Sequence, residues 1–118
     1  MKEIVLKFDD RKVEIQELKE HLDYYLKRSN EGMDLFSQDR KKEAYEVLKE
    51  LRKQLKEEYN FYNKKKVKEY IYNNDKYTNY YAAICDAFCN IQQPTAYETL
   101  YSNLYDINDY IMFYYNMI

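Results

Sequence analysis

The residues able to do chemistry in this chain of 118 are few. There is one histidine, His21, and two cysteines, Cys85 and Cys89. A di-iron site in a helical bundle takes Glu-x-x-His pairs from two helices. One His cannot supply them, and a zinc site built of Cys85, Cys89 and His21 would need a carboxylate as its fourth ligand. Neither a metal nor a cofactor is expected. Arg11, the nearest Arg upstream of His21, lies ten positions away, too far for the closely spaced Arg–His pair of small helical RNases. Ser29, Ser37 and Ser102 sit in no nucleophile motif that His21 could serve. The single glycine, Gly32, rules out a glycine-rich phosphate loop. The chain is therefore expected not to be an enzyme, with His21 a boundary residue on its helix. Cys85 and Cys89 are one helical turn apart, a poor geometry for a disulfide with each other. They are read as small buried hydrophobes with reduced thiols.

Binding chemistry is better represented. There are 16 Tyr and no Trp, and 13 of the Tyr follow Glu58. Tyrosine suits interfaces because it buries much area at low entropic cost and keeps a polar tip. Tyr97, Tyr101 and Tyr105 recur at helical spacing beside Asp106 and Asp109, with Tyr110, Tyr114 and Tyr115 beyond. So many tyrosines exceed what a small helical core can hide. The expectation is a protein-binding face at Tyr97, Tyr101, Tyr105, Asp106 and Asp109, or a homodimer seam on the same helix. The alternative is a nucleic-acid interface. Lys64, Lys65, Lys66 and Lys68 could neutralise phosphates while Tyr62, Tyr70 and Tyr72 stack on bases. Residues 1–69 hold 18 of the 19 Lys and Arg, so a local basic patch is compatible with a net charge of −2. That total argues against whole-surface attraction to nucleic acid or acidic membranes.

These residues must be positioned by helices. Asp10 to Ser37 carries Ile15, Leu18, Leu22, Tyr25, Leu26, Met33 and Phe36 at helical spacing. Ser29 and Gly32 fall on the same stripe, where they either admit a close neighbour or break the helix. Asp39 is placed to cap a second helix, Arg40–Tyr62, which would extend to Tyr72 at most. Its stripe is Ala44, Val47, Leu48, Leu51, Leu55, Tyr59 and Tyr62. A third helix spans Lys76–Ile91, with Tyr77, Tyr81, Ile84, Cys85 and Phe88 on one side. Thr95 and Glu98 form a capping box for a fourth, from Ala96 to near the C-terminus. That helix is apolar over more than half its circumference, so it is central or part of an interface. Residues 3–8 are extended by propensity, as a short strand or as half of a hairpin with residues 12–16.

An internal similarity runs at an offset of 52 residues. Asp34 and Phe36, then Ala44, Tyr45, Glu46 and Leu48, recur as Asp86 and Phe88, then Ala96, Tyr97, Glu98 and Leu100. Gly32, Phe36, Glu43, Ala44 and Leu48 resemble the heart of a tetratricopeptide-type helix–turn–helix over about 20 residues. The resemblance departs at Arg28, where that family prefers an aromatic residue, and at Asp39, where it prefers Gly. The offset also differs from that family's period of about 34 residues. What the resemblance implies is two helical hairpins, 10–62 and 76–117. The expected fold is all-α, a four-helix bundle in a single domain, 1–118. No apolar run reaches the ~20 residues of a membrane span, and Met1–Arg11 has no apolar leader. A cytoplasmic protein is expected, with no membrane partner. The Tyr, Asn and Lys content fits an AT-rich genome, such as that of a low-GC bacterium, its phage or a protozoan. An inhibitor, immunity or regulatory factor that occludes another macromolecule suits that reading.

Overall fold

The computed structural model describes residues 15–64, 75–91 and 99–118. Four helices run through them: α1 (Ile15–Ser37), α2 (Lys41–Tyr62), α3 (Asp75–Cys89) and α4 (Leu100–Tyr115). No strand occurs among the described residues. Residues 3–8, the Thr95–Glu98 capping box and the proposed extension of the second helix to Tyr72 lie outside them.

Cross-helix contacts give the topology. Tyr25 of α1 meets Glu58 of α2, while Gly32, two turns on, meets Val47. Lys19 lies over Tyr115 of α4, Asn108 reaches Ser29, and Phe36 packs on Tyr101. Tyr62 and Tyr59 of α2 pack on Tyr80 and Phe88 of α3. Asn79 and Asp86 of α3 bond Met117 and Tyr114 at the end of α4. Each pair of neighbours is antiparallel, so the helices form an up-down-up-down bundle of 44 × 24 × 23 Å.

The stripes read from the sequence are the faces that close the core. Leu18, Leu22, Tyr25 and Leu26 of α1 meet Ala44, Leu48, Leu51 and Leu55 of α2, all buried. Leu100, Leu104, Ile107 and Ile111 of α4 complete it. Each fully buried Leu or Ile side chain stabilises the fold by about 2 kcal/mol relative to exposure. The internal similarity is kept in burial: Leu48 and Leu100, and Leu55 and Ile107, are all in the core. Phe36 packs against the second helix of the other hairpin, and so does its counterpart Phe88.

α1 does not break at Ser29–Gly32; both residues are buried against α4. A Cβ at Gly32 would stand 2.8 Å from Leu104 Cδ2 and 3.1 Å from Val47 Cγ1. Asn108 Nδ2 donates to Ser29 Oγ at 2.9 Å and lies 3.3 Å from the Leu26 carbonyl. Ser29 Oγ in turn donates to that carbonyl at 3.0 Å.

Asp39 does not cap α2. It has φ +61° and is the left-handed residue that ends α1. Arg40 N–H donates to the Leu35 carbonyl at 2.9 Å, and Asp39 N–H to the Phe36 carbonyl at 3.0 Å. That pair of bonds is the Schellman arrangement. Arg40 takes the N-cap position of α2 and makes no side-chain cap bond. Its guanidinium instead reaches forward to Glu43 in the first turn.

Candidate functional site

α4 buries Leu100, Asn103, Leu104, Ile107 and Ile111, three and four residues apart. That spacing fixes the opposite arc as the outer surface. The arc is not charged in the manner of a bundle exterior. Tyr101 is 40% exposed, Tyr105 53%, Met112 46% and Phe113 62%, with Met117 at 46% in the turn that follows. Among the described residues these five are all of the exposed large hydrophobics. The outer face of α2 presents Lys42, Glu46, Lys49, Lys53, Lys56 and Glu57, the solvated surface expected of a helix with one buried stripe. Residues 99–118 contain no Lys, Arg or His, and Asp106 and Asp109 are their only acids.

The expected binding residues divide as follows. Tyr101, Tyr105 and Asp109 are exposed along one side of α4, and Asp106 is half-buried beside them. Tyr97 lies outside the described residues. The Tyr101 ring packs on Phe36 with centroids 5.4 Å apart, so α1 holds it in place. Phe113 meets Tyr114 edge-on at 5.0 Å. Burial raises the pKa of the Asp106 carboxyl, and the neighbouring Asp109 carboxylate raises it further. Met112, Phe113 and Met117 were not anticipated in this face, because their residue types read equally well as core. Tyr114 and Tyr115 are used internally. Tyr114 donates to Asp86 Oδ2 at 2.6 Å and is pushed up to about 12, mainly by that bond. Tyr115 is raised mainly by its hydrogen bond with Asp23.

Of the proposed nucleic-acid residues only Lys64 is described. It is exposed, its ammonium 5.3 Å from the centre of the Phe61 ring. Lys65, Lys66, Lys68 and Tyr70 lie outside the described residues. Neither cysteine is in a disulfide. The expectation that both are buried fails: Cys85 is half-buried and Cys89 exposed. Tyr77, Tyr80, Ala83, Ile84 and Ala87 take the inward positions of α3, which leaves the cysteines on its flank.

A second cluster escaped the sequence reading. Glu58 is buried, on the α2 stripe one turn after Leu55. Tyr25 of α1 donates to its Oε2 and Tyr80 of α3 donates to its Oε1. Tyr80 Oη also lies 3.5 Å from His21 Nδ1, and His21 is half-buried at the edge of the bundle. Tyr62 packs edge-on against Tyr80 at 5.6 Å. Burial pushes the Glu58 carboxyl up to about 7, against the two hydrogen bonds that pull it down. The same burial holds Tyr25, Tyr62 and Tyr80 well above the ordinary tyrosine range, so all three remain neutral. The signal was an acid on an apolar stripe. Its partners, 33 and 22 residues away in the chain, come from two other helices.

No helix of the described residues is long and apolar enough to cross a membrane, and no group of three or more His, Cys, Asp or Glu among them is placed to hold a metal ion. Compared with protein-family models, with curated proteins and with solved structures, the chain matches none.

Proposed function

We propose that this chain is a non-enzymatic protein-binding module, an inhibitor, immunity or regulatory factor of a bacterium or phage, and that it works by laying α4 over a surface of its partner. The supporting observation is the gathering of Tyr101, Tyr105, Met112, Phe113 and Met117 on the outer side of one helix. An exposed aromatic and methionine stripe of this kind marks an interaction site more often than a solvated face. The matching partner has apolar pockets spaced along a groove, with Lys or Arg set to meet Asp106 and Asp109. Self-pairing is the weaker use of the stripe. A two-fold axis through its middle would oppose the Asp109 carboxylates of two copies, and like charges so placed are unfavourable.

Size-exclusion chromatography with light scattering and paired 260/280 nm absorbance separates the readings. The protein-binding reading predicts a monomer with no excess absorbance at 260 nm, in low and in high salt. A dimer that Phe113→Lys splits would replace it with a homo-oligomer sealed by α4. A 260-rich peak that sheds its excess at high salt would replace it with a nucleic-acid-binding module using Lys64, Lys65, Lys66 and Lys68.

A further inference from the structure

The Glu58 cluster joins three helices through one carboxyl group. Glu58 is on α2, Tyr25 on α1 and Tyr80 on α3, and both hydroxyls bond that carboxyl. The groups facing it from each element are tyrosines, with the His21 imidazole of α1 beyond Tyr80. From α1 they are Tyr25 and, behind it, Tyr24, with ring centroids 5.7 Å apart. From α3 they are Tyr80, and Tyr77 beyond Tyr62. On α2 itself Tyr62 follows one turn later. At the same end of α4, Tyr114 is committed to Asp86 and Tyr115 to Asp23. Among the described residues no cation acts on the Glu58 carboxyl. A buried carboxyl with no cationic partner favours its neutral form.

The proton has a defined place in this geometry. With Glu58 neutral, its Oε1–H donates to Tyr80 Oη, which also lies 3.5 Å from His21 Nδ1. Tyr25 continues to donate to Oε2. With Glu58 ionised, both hydroxyls must point at the carboxylate, and a full negative charge stands in the core.

We infer that Glu58, Tyr25 and Tyr80 form a pH-operated latch, which holds the first half of α3 against the α1–α2 hairpin when the Glu58 carboxyl is neutral and loosens it when the carboxylate forms. The sign follows from linkage. The carboxyl is raised in the folded state, so the native protein holds the proton more tightly than the unfolded chain does. The latch is therefore complete below the ordinary carboxylate range and is lost as pH climbs through about 7. Opening of part of a helix is the low-energy response available to a bundle.

Amide hydrogen exchange on the full chain between pH 5 and pH 8, corrected for the intrinsic rate, tests this. Protection over residues 77–84 should fall on the order of 100-fold across that range, while residues 41–48 at the other end of the bundle change far less. Glu58→Gln keeps an acceptor for Tyr25 and cannot ionise, so its profile should be flat. Tyr80→Phe removes a bond that favours the anion, so the midpoint should move to higher pH. His21→Gln should leave a fall of similar size. Protection that stays level or rises with pH in the unmodified protein would overturn the latch. So would a fall that survives Glu58→Gln, a midpoint unmoved by Tyr80→Phe, or a fall abolished by His21→Gln, which would assign the titration to the imidazole.

Discussion

At position 58 a carboxyl stands where the α2 stripe calls for another Leu, and at position 32 a glycine stands in mid-helix. Both residues break a local rule, and both are explained by what other helices bring to them. Gly32 is the easier to read. It lies on the same stripe as Ser29, and two small residues one turn apart on an apolar face signal a close neighbour. The neighbour is α4, whose Leu104 methyls fill the space a Cβ would need. Gly32→Ala gains up to about 1 kcal/mol of helix propensity. It also forces apart Leu104 and Val47, both buried and packed on other helices. Overpacking of this kind costs about 1–3 kcal/mol. The expected net result is destabilisation by about 1 kcal/mol, seen as a lower urea midpoint with an unchanged slope. Glu58 was less legible. Its place on the stripe is visible in the sequence, but the Tyr25 and Tyr80 hydroxyls that accommodate it belong to α1 and α3.

At the scale of the element, the helices follow from their stripes. The buried positions of α1 and α2 are those that the spacing of Leu18, Leu22, Tyr25, Leu48, Leu51 and Leu55 implies. Their junction was misread. Asp favours the N-cap of a helix, and it also tolerates the left-handed conformation that ends one. Residue type alone does not separate those roles, and at Asp39 the second holds. Glycine suits that conformation better. The ion pair that would be lost there, an exposed one with Lys41 at 3.9 Å, adds little. Asp39→Gly should therefore raise stability by about 0.5–1 kcal/mol, and Asp39→Ala should lower it. Thermal unfolding of the two variants beside the parent checks the opposite signs. α3 shows another limit of pattern reading. Tyr77, Tyr81, Ile84, Cys85 and Phe88 were expected on one side; Tyr77 and Ile84 are buried together with Tyr80, Ala83 and Ala87, while Tyr81, Cys85 and Phe88 are half-buried. In so aromatic a helix several faces look apolar, and packing against α2 and α4 selects one.

At the scale of the molecule, two antiparallel hairpins close a common core, and the repeated pairs Leu48 and Leu100, and Phe36 and Phe88, occupy matching places. The architecture was legible because hydrophobic periodicity is a strong signal over helices of this length. The face on α4 was legible in part. An excess of tyrosine marked Tyr101 and Tyr105 as exposed. Met112, Phe113 and Met117 were hidden by a helix apolar on most sides, whose inner arc only its neighbours define. Their exposure turns two tyrosines into a continuous stripe, and that stripe supports the proposal of a protein partner.

Site-specific photocrosslinking in host cells tests that proposal most directly. A benzophenone side chain is placed at Tyr105 or Phe113, and as a control at Lys53 on the solvated face of α2. The account predicts one discrete crosslinked protein from positions 105 and 113 and none from 53. It further predicts that Tyr105→Ala with Phe113→Ala weakens binding of that protein by on the order of 2 kcal/mol while the thermal midpoint stays in place. Crosslinking that is absent, equal from both faces, or directed only to a second copy of the chain would contradict it.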